Sequence, residues 1–189
     1  MRATGRSKTR GTPPDSALIA SVLDAWSTND RVTTFLIERI PAELWTAEIP
    51  GSPRRTIRMI AVHIHNARSR WIRTLGAPHG IAPPPLLDRH RATRAGLVRA
   101  LGRSGRAMAR LLAFGIERGG QIPPTPVYVW RNLPLDVGHV LSYFVAHEGH
   151  HRGQIVMVAR QLGHRLPRET INGLWQFNRR SIEAKDVRR

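Results

Sequence analysis

His147-Glu148-Gly149-His150-His151-Arg152-Gly153-Gln154 lies at the centre of a run from Val137 to Leu162. The run predicts a single helix with an apolar stripe through Val140, Phe144, Val158 and Leu162 at a/d-like spacing. His147 and His151 fall in the same stripe. Residues four apart stand one above the other on a helix face, so both imidazoles can close on one metal ion. A lone histidine in such a stripe is ordinarily a packed, hydrogen-bonded core residue. A pair at i and i+4, with more histidine elsewhere, points to ligation.

Asp136 is placed to cap this helix and Gly163 to close it, with Pro167 breaking the chain beyond. Upstream, Ser52-Pro53 reads as an N-cap followed by proline at the first helical position. The helix it opens runs to about Leu75 and stops at Gly76, with Ile57, Ile60, Ile64, Ala67, Trp71 and Leu75 facing inward. His63 and His65 flank that stripe about 200° apart, so one of them at most can join a site in the core. Periodicity alone does not say which.

A first helix is expected from a cap at Asp15 or Ser16 to about Ile40, stopped by Pro41, with Leu18, Val22, Ala25 or Trp26, Val32 or Thr33, and Leu36 inward. A third spans about Asp88 to Glu117, burying Leu97, Leu101, Met108, Leu111 and Leu112 and turning its arginines to solvent. Val127-Tyr128-Val129-Trp130 has no strand to pair with and reads as loop. A short last helix, about Glu169 to Ile182, returns Leu174, Trp175 and Phe177 to the body. These elements predict an all-α chain: a four-helix bundle of up-down-down-up type, with a long crossover loop and a short C-terminal helix. Residues 1–14 read as a flexible basic tail, 15–183 as the bundle and 184–189 as a basic C-terminal tail.

With 189 residues, 41% of them hydrophobic, the chain is long enough for one real core. No apolar run reaches the length of about eighteen residues that a membrane span needs. The N-terminus lacks the apolar segment of a secretory signal. There is no cysteine, hence no disulfide and no thiolate ligand or nucleophile. A cytoplasmic location is the expectation. Thirty Lys+Arg against thirteen Asp+Glu give a net charge of +17. That charge favours non-specific attraction to nucleic acid, but the arginines are scattered and not gathered on one recognition helix.

Three neutral imidazoles with open coordination positions form a catalytic kind of metal site, suited to zinc first and to nickel or iron next. His150 lies about 60° from the 147/151 direction and Gln154 one turn beyond, where both can support the ligands. Gly153 is expected to allow close helix packing. His-Glu-x-x-His also matches the zinc protease pattern, with Glu148 as base. However, Gln154 and Met157 stand where the extended form of that pattern needs glycine and histidine, and no sheet is expected to hold a peptide.

The segment H-E-x-H-H-R-G-Q, together with His63-Ile64 and the aromatic Trp71 eight residues on, resembles the DinB/YfiT-like family over roughly residues 16–180. The resemblance implies a four-helix bundle with one histidine from the second helix and two from the last on a divalent metal: His63, His147 and His151, not His65. It also implies a homodimer. Some members use a low-molecular-weight thiol, such as mycothiol, bacillithiol or glutathione, in transferase or isomerase reactions on small molecules. A bound metal can lower the pKa of such a thiol, and with no cysteine in the chain the thiol must come as cosubstrate. The alternative is a non-catalytic basic protein that binds nucleic acid and whose metal braces the fold; an HExxH hydrolase ranks third.

Overall fold

A computed structural model describes residues 16–128 and 132–186. The expected basic tail at 1–14, the cap at Asp15, Val129 and Trp130, and the last three residues lie outside the described residues. What is described is mainly helical: α1 (Ser16–Glu38), α2 (Ala42–Trp45), α3 (Ile57–Trp71), α4 (Arg94–Ile116), α5 (Val137–Gln161), α6 (Arg168–Gly173) and α7 (Phe177–Asp186), with one hairpin, β1 (Glu48–Ile49) and β2 (Ser52–Thr56). Among the described residues, no helix is long and apolar enough to cross a membrane.

Local chemistry sets the element ends. The Asp136 side chain accepts from the His139 amide at 3.0 Å and starts α5. Gly163, at φ 80°, stops it, while the His164 amide reaches back to the Ala159 carbonyl. The expectation for the start of the second helix was wrong. Gly51, at φ 72°, reverses the chain, and Ser52 enters a strand paired with Ile49. Thr56, extended at φ −134°, caps α3 by accepting from the Met59 amide. The chain then stays helical past Trp71 through a π turn, Ile72–Gly76, and a short 3-10 turn that ends at Gly80. The third helix also starts later than expected, because Asp88 organises a separate turn and Thr93 supplies the cap.

Two apolar clusters form the core. One gathers Leu36, Ile37, Ile64, Leu101, Ile155 and Val158; the other Trp26, Ile72, Met108, Leu111, Val140 and Phe144. Between the two sets each of the four long helices contributes polar residues or glycine: Asn29, Asp30 and Thr33; Arg68; Ser104 and Gly105; Glu148 and Arg152. These residues make one polar layer, buried except for half-buried Asp30 and Arg152. Arg68 grips Glu148 through two bonds, Nε to Oε1 at 2.6 Å and Nη2 to Oε2 at 2.8 Å, both side chains being 0% exposed. Its Nη1 donates to Asp30. Asn29 Nδ2 and Thr33 Oγ1 also donate to Glu148 Oε2, and Arg152 Nη1 donates to Asn29 Oδ1 and Thr33 Oγ1. Gly105 belongs to the layer because a Cβ there would meet the Asp30 carboxylate at 2.5 Å.

The C-terminal region departs from its periodicity. The expected single helix is two, α6 and α7, and Trp175 is 78% exposed, with Leu18 and Phe177 also outside. Gly173 packs on the Phe35 ring, Arg180 lies over the same ring at 3.8 Å, and Glu183 bonds Arg31 at 2.8 Å. This contact with α1 is made by glycine, arginine and glutamate, which a hydrophobic pattern does not register. Buried Ala184 continues α7 to Asp186, past the expected boundary at 183.

Removing one partner from the layer strands a buried charge, which costs about 3–5 kcal/mol, whereas replacing both partners by apolar groups costs far less. Arg68→Met and Glu148→Met each lower unfolding free energy by about that amount, and the double variant recovers much of the loss. Chemical denaturation of the four proteins measures the coupling; strictly additive losses would contradict the assignment.

Candidate metal centre

The i, i+4 spacing on α5 and the packing of α3 against it bring three imidazoles together. His63 Nε2 lies 3.3 Å from His147 Nε2, which lies 3.2 Å from His151 Nε2. One ligand atom from each of the three falls within 4.8 Å of the others. Two nitrogens on a tetrahedral zinc, each at about 2.0–2.1 Å, stand about 3.3–3.4 Å apart. The donor set therefore fits a divalent cation of the borderline class.

Protonation also favours this. Burial lowers the pKa of all three histidines. For His147 the neighbouring His151 and His63 add to the effect and bring it to about 4. For His63, His151 and Arg70 act in the same direction. For His151 burial and His150 outweigh the bond to Gln154. At neutral pH the cluster is a set of free lone pairs.

Gln154 Oε1 lies 2.8 Å from His151 Nδ1 and its Nε2 lies 2.9 Å from His150 Nε2. An amide oxygen only accepts, so His151 carries its proton on Nδ1 and turns Nε2 to the cluster. His150 is exposed and is linked to His151 through Gln154, by two hydrogen bonds. The Tyr143 ring stacks on His147 at 5.7 Å and 18° and meets Trp71 at 5.4 Å. Trp71 thus walls the cluster through Tyr143, one helical turn before His147, a residue the sequence reading passed over.

His65 is turned away, as the angle between the two histidines required. It is fully buried, with Nδ1 3.1 Å from Ser104 Oγ and Nε2 2.9 Å from the Pro85 carbonyl. Together with Asn66, which exchanges two bonds with Leu87, it pins the crossover to α3. His79 is half-buried against Phe114.

Glu148 cannot serve as the base of a zinc protease. Burial alone would raise its pKa, but the charge and hydrogen bonds of Arg68, helped by Arg152 and Thr33, hold it below the ordinary carboxylate range. Its oxygens are engaged on the core side of α5. The octapeptide therefore has two faces: His147, His151 and Gln154 on one, Glu148 and Arg152 at i, i+4 on the other. The second was missed, although a charged i, i+4 pair interleaved with the ligand pair was its signal.

A cleft of about 820 Å³ opens beside the cluster, with His63, His150, His151 and Gln154 in its lining. Ile49, Met59, Ile60, Met157 and Val158 supply an apolar wall. Gly153 was expected to receive a neighbouring helix; a Cβ there would meet nothing within 4 Å, and the residue keeps the cleft floor open.

The fold and the site define a mainly helical protein with a three-histidine cluster at the side of an open cleft. The sequence model of the DinB family matches residues 125–179, which hold His147 and His151 but not His63. That match supports a DinB-like family assignment. No curated protein matches the chain.

Two measurements check this geometry. Gly153→Ala stabilises the protein by about 0.5–1 kcal/mol, the ordinary gain inside a helix, seen as a higher denaturation midpoint; a loss would mean that the position is packed. The second follows from the histidines, whose folded pKa lies below the unfolded value of 6.5. The unfolded chain binds more protons in between, so folding stability holds above pH 6.5 and falls as pH drops towards 4. In chelator-treated protein the thermal midpoint declines across that window, and less steeply in His147→Ala; equal slopes would contradict the shift.

Proposed function

We propose that this chain is a divalent-metal-binding protein of DinB type, with His63, His147 and His151 as ligands and zinc as the first choice of metal. In this reading α1, α3, α4 and α5 are the four helices of an up-down-down-up bundle, a reading supported by the polar layer to which each contributes. The reaction we propose is a transfer or isomerisation in which a low-molecular-weight thiol is brought to an electrophilic small molecule in the cleft. The observation that carries the proposal is the convergence of three imidazole nitrogens, neutral at physiological pH, on one point beside that cleft.

A metal held by three protein ligands supplies Lewis acidity at its open positions and lowers the pKa of a thiol or water presented to it. The residues do the rest. Gln154 fixes the His151 ring in one tautomer. Tyr143 and Trp71 cover His147 from one side. Met59, Ile60, Met157 and Val158 give an organic substrate an apolar surface. Since the chain contains no cysteine, the sulfur belongs to the cosubstrate.

Elemental analysis of purified, untagged protein tests the site. Wild type binds about one zinc, nickel or iron per chain. His63→Ala and His147→Ala lose it. His65→Ala keeps the metal but unfolds more easily, because Ser104 and the Pro85 carbonyl lose a buried partner. Metal retained in His147→Ala, or absent from wild type after reconstitution, would refute the assignment.

A further inference from the structure

The cleft carries a second chemical feature besides the histidines. Arg55, Arg70 and Arg89 line it, and none of the described residues in the lining is acidic. The three come from separate parts of the chain: the hairpin, α3 and the crossover before α4. Arg31 and Arg68, by contrast, are paired with carboxylates, Arg31 with Glu38 and Glu183, and Arg68 with Asp30 and Glu148. Among the described residues Arg55, Arg70 and Arg89 form no ion pair. All three are exposed; Arg89 Nε donates to His90 Nε2 at 3.2 Å, and that bond leaves the two terminal amino groups of its guanidinium for a ligand.

The hairpin presents its arginine through an irregularity. Glu48 pairs with Thr56 while Ile49 pairs with Ser52, so Pro53, Arg54 and Arg55 are extra chain on one strand. Such a bulge breaks the alternation of a strand and re-aims a side chain. Arg54, the neighbour of Arg55, is held at φ 63°, a conformation that costs a non-glycine residue energy and that clusters at binding sites.

We propose that the cleft selects an anionic small molecule: Arg55, Arg70 and Arg89 take its carboxylate or phosphate, and Ile49, Met59, Ile60 and Met157 take its apolar portion. Guanidinium groups bind both oxyanions through paired charge-assisted hydrogen bonds. The substrate class so named rests on the cleft being the reaction site, as proposed above, but the recognition itself needs no metal.

The test uses hexanoate, hexyl phosphate and the neutral hexanamide as probes, titrated by calorimetry into full-length protein, both metal-free and zinc-loaded. The expected result is binding of one or both anions to metal-free protein, with hexanamide at least about tenfold weaker. A stronger response to hexanoate identifies a carboxylate, and to hexyl phosphate a phosphate. Arg55→Gln, Arg70→Gln and Arg89→Gln each weaken the anion about tenfold, whereas Arg110→Gln, on the exposed face of α4, has no effect. Equal affinity for hexanamide, an equal loss in Arg110→Gln, or no binding by metal-free protein would overturn the proposal; the last, with binding to zinc-loaded protein, would make the anion a metal ligand. Because His147→Ala removes the metal and leaves the three arginines, anion binding by that variant separates failure of this inference from failure of the metal assignment.

Discussion

The buried pair of Arg68 with Glu148 is the interaction on which the rest of the structure depends. It ties α3 to α5, the two helices that carry the three histidines, and it does so one residue from His147 and five from His63. Two ions out of water are costly, and the cost is offset only when every lone pair and proton finds a partner. Asn29, Thr33, Asp30 and Arg152 are those partners. The layer must close as a unit, so α1 is fixed by the same bonds that set α3 against α5. Apolar clusters on either side would tolerate some sliding of one helix along another. A bidentate guanidinium–carboxylate pair with bonds of 2.6 and 2.8 Å does not.

This arrangement explains why one octapeptide holds so many polar residues on a core helix. A helix at a four-helix contact has neighbours on more than one side. Of the α5 residues, 151 and 154 line the cleft and 147 joins 151 in the histidine cluster, while 148 and 152 face α1 and α3. Each set is spaced at three or four residues and so forms its own ridge. The glycines at 149 and 153 flank them: Gly149 and Gly153 both line the cleft, where larger side chains would narrow it. The geometry of the histidine cluster and the helix registry are thus encoded in the same two turns or so of helix.

How much of this was legible in the sequence depended on whether local chemistry or distant partners decided it. Asp136 and Gly163 mark the ends of α5 by rules confined to a few residues, and both were readable. So were the inward stripes of α4 and the i, i+4 histidine pair. The angle between His63 and His65 was readable, but which of them faces α5 depends on where α4 and the crossover pack, and residues 85 and 104 are far away in the chain. Arg68 read as one more of the scattered arginines of a basic protein because a single sequence does not display its partners at 30 and 148. The hairpin was missed because its pairing is too short to produce alternation. The break between α6 and α7 was missed because Gly173 and Arg180, not an apolar stripe, make the contact with Phe35.

The distribution of carboxylates carries the argument one step further. The polar layer contains Arg68 and Arg152 against Glu148 and Asp30, so its formal charges cancel within the core. Glu148, adjacent to His147 in sequence, pulls the His147 pKa upward, but burial and the neighbouring His151 and His63 outweigh it and keep the imidazole neutral. Three neutral nitrogens add no negative charge to any cation they hold. The cleft beside them adds none either, since its described charged lining residues are arginines. A metal site built with a carboxylate ligand would compensate part of the ion's charge from within the protein. In the metal site proposed above the compensation would have to arrive with the ligand, and an anionic group, whether a thiolate or an oxyanion, is the chemistry that would supply it.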